Sequence, residues 1–257
     1  MDIELWHILL LTLVGIAAGF LNVVAGGGSL LTLPVMLFLG MAGPEANGTN
    51  RIAILAQNIA AVGGFRRQGF SNFKLSVTLA LCALPGALAG AYLGTRLDGV
   101  LFKRVLAGIM IGVMLLMLFK KKRPQGSEDL TELAPPGSSR FIAAHLLMVL
   151  VGFYGGFIQA GLGFLLMFVL HRVLGENLVR VNMHKVFIIG SYTFFALGIF
   201  AWQGKVEWLP GLGLAAGNAA GGWCGSYFSV KRGERAIKFV FYTALLAMAA
   251  NLLFGEP

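Results

Sequence analysis

The stretch Gly19-Phe20-Leu21-Asn22-Val23-Val24-Ala25-Gly26-Gly27-Gly28-Ser29-Leu30 decides how this chain folds. It lies within a window without charged residues that runs from Leu5 to Pro44, 40 residues in all. A membrane-spanning helix needs about 20 apolar residues. The window is therefore too long for one span and too short for two comfortable ones. Only about a dozen apolar residues follow the glycines, roughly 18 Å of helix, or half a bilayer. The pattern predicts a helix, an irregular break, and a half-helix that turns back, as in transporters with discontinuous helices.

The same pattern recurs. Phe141 to His171 is a second charge-free window, 31 residues long, interrupted by Gly155-Gly156 and Gly161-Leu162-Gly163. Six further windows are Ile52–Phe65, Leu75–Thr95, Val105–Phe119, Val186–Gly204, Trp208–Val230 and Phe239–Gly255. Of the 257 residues, 57% are hydrophobic and 12% charged, with a mean hydropathy of +0.80. Soluble domains carry about 25% charged residues, twice this share. Disorder, nucleic-acid binding and a water-soluble enzyme are excluded, and an all-α polytopic membrane protein is expected. The net charge of +9 belongs to short loops, where Lys and Arg set topology. The N-terminus, Met1-Asp2-Ile3-Glu4, is acidic and no A-x-A-like site follows, so a cleaved signal peptide is not expected. Cys82 and Cys224 stand alone in apolar stretches, without the spacing of a metal site or disulfide framework.

The two halves match in order. Gly19-Phe20 pairs with Gly152-Phe153, Asn50-Arg51 with His184-Lys185, and Gln68-Gly69 with Gln203-Gly204, at offsets of 133 to 135. Gly86, Gly90 and Gly94 parallel Gly217, Gly221 and Gly225; at every fourth residue they form a smooth face for close helix packing. Residues 1–119 are thus a first repeat, 120–140 a cytoplasmic linker opening with Lys120-Lys121-Lys122-Arg123, and 141–257 a second repeat. If each broken window is a re-entrant hairpin, each repeat adds three spanning helices, and the odd number of crossings inverts the second repeat against the first. With both termini outside, 15 of the 20 cations fall on the cytoplasmic side.

A helix broken inside a membrane exposes backbone polar groups that must line a cavity or meet a ligand. Half-helices after Gly26-Gly27-Gly28-Ser29 and after Gln159-Ala160-Gly161-Leu162-Gly163 direct N–H groups and positive dipole ends inward, which suits an anion. Arg51 stands too close to Arg66 for the 14 residues between them to cross a bilayer, so it sits inside the protein or in a polar invagination. Ligand contact and a simple ion pair with Glu45 both remain open for it. Lys185 is either its counterpart or a cytoplasmic loop charge. Asn22, Ser29, Thr49, Asn50, Gln57, Asn58, Gln159, Asn182, His184 and Ser191 complete the polar groups in or beside apolar windows. No carboxylate lies within a predicted span except near its ends, so no carboxylate proton relay is visible. Signatures of hydrolases, zinc proteases and nucleotide sites are missing, and no cofactor or metal is expected.

Gly19-Phe20-Leu21-Asn22, Ala25-Gly26-Gly27-Gly28-Ser29, Leu33-Pro34, Gly48-Thr49-Asn50, Arg67-Gln68-Gly69, Gly161-Leu162-Gly163-Phe164, Gly175 and Asn182 to Lys185 together resemble the TauE/SafE sulfite exporter family. Asn50 stands where that family usually has a small hydroxyl residue. Phe168 lies near the place corresponding to Pro34, and Met183 matches Thr49. The resemblance implies a bacterial or archaeal inner-membrane exporter of sulfite or a small organosulfonate, embedded in lipid. The anion would sit between the glycine breaks among Asn22, Gly26, Gly27, Gly28, Ser29, Thr49, Asn50, Arg51, Gln159, Gly161, Gly163, Asn182, His184 and Lys185. An inside-negative potential drives anions outward by about 2.3 kcal/mol per charge per 100 mV, so export can run without a coupled ion; proton coupling stays open. An anion channel and a membrane scaffold are the competing readings. The glycine faces also allow a homodimer.

Overall fold

The computed structural model describes residues 4–118 and 133–254. Most of the expected linker, residues 120–132, lies outside them, as do 1–3 and 255–257. Every described element is helical: α1 Leu5–Val24, α2 Ser29–Phe38, α3 Gly43–Arg67, α4 Lys74–Gly94, α5 Gly99–Leu118, α6 Ser139–Phe157, α7 Leu162–Met167, α8 Leu178–Trp202 and α9 Trp208–Phe254. A π-helical segment, Phe168–Val173, extends α7, and non-helical backbone at Gly233 divides α9. Among the described residues α1, α4, α6 and α8 are long and apolar enough to cross a membrane.

Local chemistry sets the ends. Pro44 occupies the first turn of α3, where its missing N–H costs nothing. Ser138 and Asn177 cap α6 and α8, each accepting an N–H three residues on. α3 and α8 end alike, Gly69 and Gly204 taking φ of 86° and 67° beyond the last turn. α3 has 25 residues, about 37 Å, and starts eight residues before Arg51. That resolves the short interval between Arg51 and Arg66: Arg51 is buried in protein, two turns inside a helix. Lys185 likewise is buried in α8 rather than in a loop. The end of the linker is less solvated than expected, since Ala134 is buried and its N–H donates to Leu174 O (2.8 Å).

Helices from opposite halves pack most closely. α1 lies along α9, with the carbonyls of Thr12, Ile16 and Phe20 over Gly217, Gly221 and Gly225. α4 lies along α6, with Gly86, Gly90 and Gly94 under the carbonyls of Val149, Phe153 and Phe157. Most of these backbones are too close for a β-carbon to enter without moving something. The contacts also shift the expected register by one turn. Gly86 and Gly90 occupy the places of Gly221 and Gly225, at an offset of 135, in line with the other matches.

The order of these contacts fixes direction. Thr12 to Phe20 advances with Gly217 to Gly225, and Thr49 to Gly64 advances with Gly211 to Ser226, so α1, α3 and the start of α9 are parallel. α4 is parallel to α6 by the glycine register, and to α8 because Ser76 meets His184 and Gly94 meets Phe200. α3 runs against α8, since Gly48 meets Phe200 while Asn58 meets Gly190. Large apolar side chains such as Leu9, Leu13, Leu146 and Leu150 face outward, a surface suited to lipid rather than water.

Candidate functional site

The two breaks meet backbone to backbone in the interior. Gly26 (φ 94°) ends the stretch after α1, and Gly163 N donates to Gly26 O across 3.2 Å. A β-carbon on either residue would strike the other's backbone. On the opposite side Gln159 (φ 62°) and Gly161 (φ 68°) both adopt left-handed backbone, which is costly for Gln159. The inward N–H groups are therefore not all directed at a cavity. Gly163 N–H is spent on Gly26, and Leu30 and Leu31 donate to Gly27 O and Gly28 O.

Each broken helix ends on a cation from the other half. Arg51 on α3 is fully buried and reaches the C-terminal end of α6, where Nη1 donates to Gly155 O (3.2 Å) and Nη2 to Gly156 O. Nη1 also donates to Gln159 Oε1 (3.3 Å) and Nη2 to Asn47 Oδ1 (3.4 Å), and the guanidinium lies 4.4 Å from the Phe200 ring centroid. Lys185 on α8 reaches the end of α1, where Nζ donates to Val23 O and to Asn182 Oδ1, both at 2.8 Å. Asn47 Nδ2 donates to Phe157 O (2.7 Å) and Asn182 Nδ2 to Val24 O (3.3 Å). Val23 and Val24 correspond to Gly156 and Phe157 at an offset of 133, so the two clamps match pair for pair. A cation at the end of a helix meets the negative end of its dipole and its unpaired carbonyls.

Among the described residues no carboxylate pairs with either cation. Glu45 instead pairs with Lys205 (2.9 Å), which removes it as the counter-ion of Arg51. Arg51 Nε is buried without an acceptor.

The expected site residues fall into groups. Arg51 and Gln159 come together, and Gln159 Nε2 donates to Thr193 Oγ1 (3.1 Å) and Tyr192 Oη (3.4 Å). Asn50 binds α2 through Ser29 (3.3 Å) and Thr32 (2.8 Å). Asn22 donates to Gln57, which in turn donates to Asn58. Lys185 and Asn182 join at α1. Thr49 turns away and accepts Glu207 N–H (2.8 Å). Ser191 bonds its own helix at Phe187 O. Cys82 and Cys224 are free thiols. Asn47, Thr32, Tyr192 and Thr193 escaped the sequence reading. Asn47 precedes Arg51 by four residues, the spacing of neighbours on one helical face, and that was the available signal.

His184 also turns elsewhere. Its Nδ1 lies 2.7 Å from Ser76 Oγ on α4, and its Nε2 3.8 Å from Glu176 Oε1 in the connection leading into α8. All three side chains are buried. Burial raises the Glu176 carboxyl, but His184, Arg180 (4.0 Å) and the Asn177 N–H outweigh it and hold it below the ordinary 4.5. A buried carboxylate beside an imidazole thus exists in the connection between the second half-helix and α8, outside the charge-free windows.

Discontinuous helices meeting in the interior, buried cations at their ends and an apolar outer face define a helical membrane transporter. The chain belongs to the family described as "Sulfite exporter TauE/SafE", which matches residues 11–252. "Probable membrane transporter protein ORF9" of Sinorhizobium sp is 30% identical over 92% of this chain and 88% of its own length. A "Probable membrane transporter protein" of Haemophilus influenzae is 26% identical over 100% of this chain and 98% of its own, and YfcA of Escherichia coli K12, likewise called a probable membrane transporter, 27% over 95% and 88%. No solved structure matches the chain.

Proposed function

We propose that this transporter exports a small sulfur oxyanion, sulfite or an organosulfonate, from the cytoplasm. The observation that carries the proposal is Arg51: fully buried, without a carboxylate among the described residues, and with Nε lacking an acceptor. A guanidinium that remains charged in such a place favours an anionic ligand. Its planar donor fork suits an oxyanion. Gln159 and Asn47, which accept from Arg51, would supply the neutral contacts beside it, and Asn50 with Ser29 forms a separate polar group on α2.

Two inverted repeats, residues 1–119 and 141–257 joined by a cytoplasmic linker, carry this site. Support comes from direction: α1 and α3 run one way, while their counterparts α6 and α8 run the other. Each repeat then supplies one re-entrant hairpin and three crossings, with both termini outside the inner membrane. The inside-negative potential supplies about 2.3 kcal/mol per charge per 100 mV for export.

The test is flux from proteoliposomes loaded with labelled sulfite, methanesulfonate, thiosulfate, sulfate or chloride. Selective efflux of a sulfur oxyanion, abolished in Arg51→Gln but present in Glu45→Gln, is expected. Absence of efflux for every anion, or equal efflux in Arg51→Gln, overturns the proposal.

A further inference from the structure

Among the described residues, the crossing and the two clamps leave a buried titratable cluster unused, and it lies at a junction. Glu176 sits between the second half-helix and α8, His184 on α8 and Ser76 on α4. Glu176 is tied to the hairpin through its backbone: its N–H donates to Leu170 O (3.0 Å), and its carbonyl lies 2.7 Å from His171 Nδ1. His184 immediately precedes Lys185, whose ammonium holds the end of α1. One imidazole therefore links the re-entrant hairpin, the α4 scaffold and the helix that clamps the other break.

We propose that Glu176, His184 and Ser76 form a proton-binding site coupled to anion transport. The chemistry is that of a carboxylate–imidazole pair. With the imidazole neutral, the buried pair carries one negative charge. With one proton added it becomes an imidazolium–carboxylate ion pair of zero net charge. Ser76 Oγ, 2.7 Å from Nδ1, orients the ring so that Nε2 faces Glu176. The other charged groups facing the pair are few. On α8, Arg180 is 4.0 Å from Oε1 with more than half its side chain exposed, and Lys185 is engaged by Val23 and Asn182. On the hairpin, His171 binds the Glu176 backbone. Arg180 is thus the exposed member of the group. Loading the proton removes a negative charge from the protein that must admit an anion, so proton and anion binding favour each other. A divalent oxyanion moving with one proton still carries one net negative charge, which the membrane potential drives outward.

The coupling rests on the anion reading above, whereas the proton site does not, and two measurements separate them. The first adds thiosulfate or methanesulfonate, which do not titrate near neutrality, to the purified protein in weakly buffered nanodiscs. Melting reports anion binding and a pH indicator reports protons. Wild type is expected to take up about one proton per bound anion at most, and Glu176→Gln and His184→Gln to bind the anion without uptake. Binding without uptake in wild type, or uptake retained in both variants, overturns the proposal. The second is histidine NMR, with His184 identified by its loss in His184→Gln. A ring resonance that responds to pH and moves in Glu176→Gln supports the proton site. One that does not titrate overturns it, whether or not an anion binds. If Glu176→Gln does not yield folded protein, Ser76→Ala replaces it. A shifted midpoint is expected there, and an unshifted one counts against the proposal.

Discussion

Gly26→Ala tests whether the crossing of the two breaks holds the interior together. The substitution carries two costs. Gly26 has φ of 94°, and an L-residue in left-handed backbone loses roughly 1–2 kcal/mol. Its new β-carbon would also lie 2.6 Å from Gly163 Cα and carbonyl carbon, which is backbone and cannot rotate away. Overpacking of that kind costs about 1–3 kcal/mol. The sum is about 2–5 kcal/mol. Gly40→Ala is the control, because Gly40 has a similar φ of 86° with nothing within 4 Å of the added carbon. It should lose only the conformational part. Gly163→Ala supplies the complement, since it meets the same contact without a positive φ of its own. At about 2–4 °C per kcal/mol, the crossing itself should lower the melting temperature of Gly26→Ala below that of Gly40→Ala by about 2–12 °C. Thermal unfolding in one detergent, with sulfite efflux measured in parallel, reads the difference. Equal melting of Gly26→Ala and Gly40→Ala would refute the argument that the breaks support each other.

Three further outcomes follow from the same geometry. Asn182→Ala and Asn47→Ala each remove bonds to a broken helix end and to its cation; each should cost about 2 kcal/mol in unfolding experiments, and similar losses would show that the clamps are equivalent. Glu45→Gln should cost less than about 1 kcal/mol, because the Glu45–Lys205 pair is partly exposed, so a large loss would restore Glu45 as a partner of Arg51. Glu176 titrates below its ordinary value in the folded protein, so it contributes stability above the unfolded value and loses it as pH falls through the folded one; acid unfolding of Glu176→Gln should show a flatter pH dependence than wild type.

The glycine runs and charge-free windows made the broken helices legible, because interrupted apolar length is a one-dimensional property. The pairing of Arg51 with Lys185 was legible for the same reason, through offsets that stay within 133 to 135. What each cation touches was not. Arg51 and Gly155 are separated by 104 residues, and nothing local in α3 says that its guanidinium ends on α6. Glu176 was passed over because its segment reads as a polar loop, and only the fold brings His184 within 3.8 Å of it. Glu45 shows the same limit: six residues from Arg51 it leaves an ion pair open, and only the fold assigns it to Lys205.

The exchange of clamps between halves bears on how the chain is made. Lys185 follows Val23 by 162 residues. At about 5–20 residues per second, the ribosome needs roughly 8–30 s to deliver that lysine after the end of α1 has emerged. Throughout this interval the terminal carbonyls of α1 lack their native donor from α8, in or beside a bilayer that offers none. The nascent protein must keep that end in water or in an insertase until the second half arrives. Biogenesis, rather than folded-state stability alone, therefore depends on the Lys185 clamp, whereas Arg51 is already made when the end of α6 emerges.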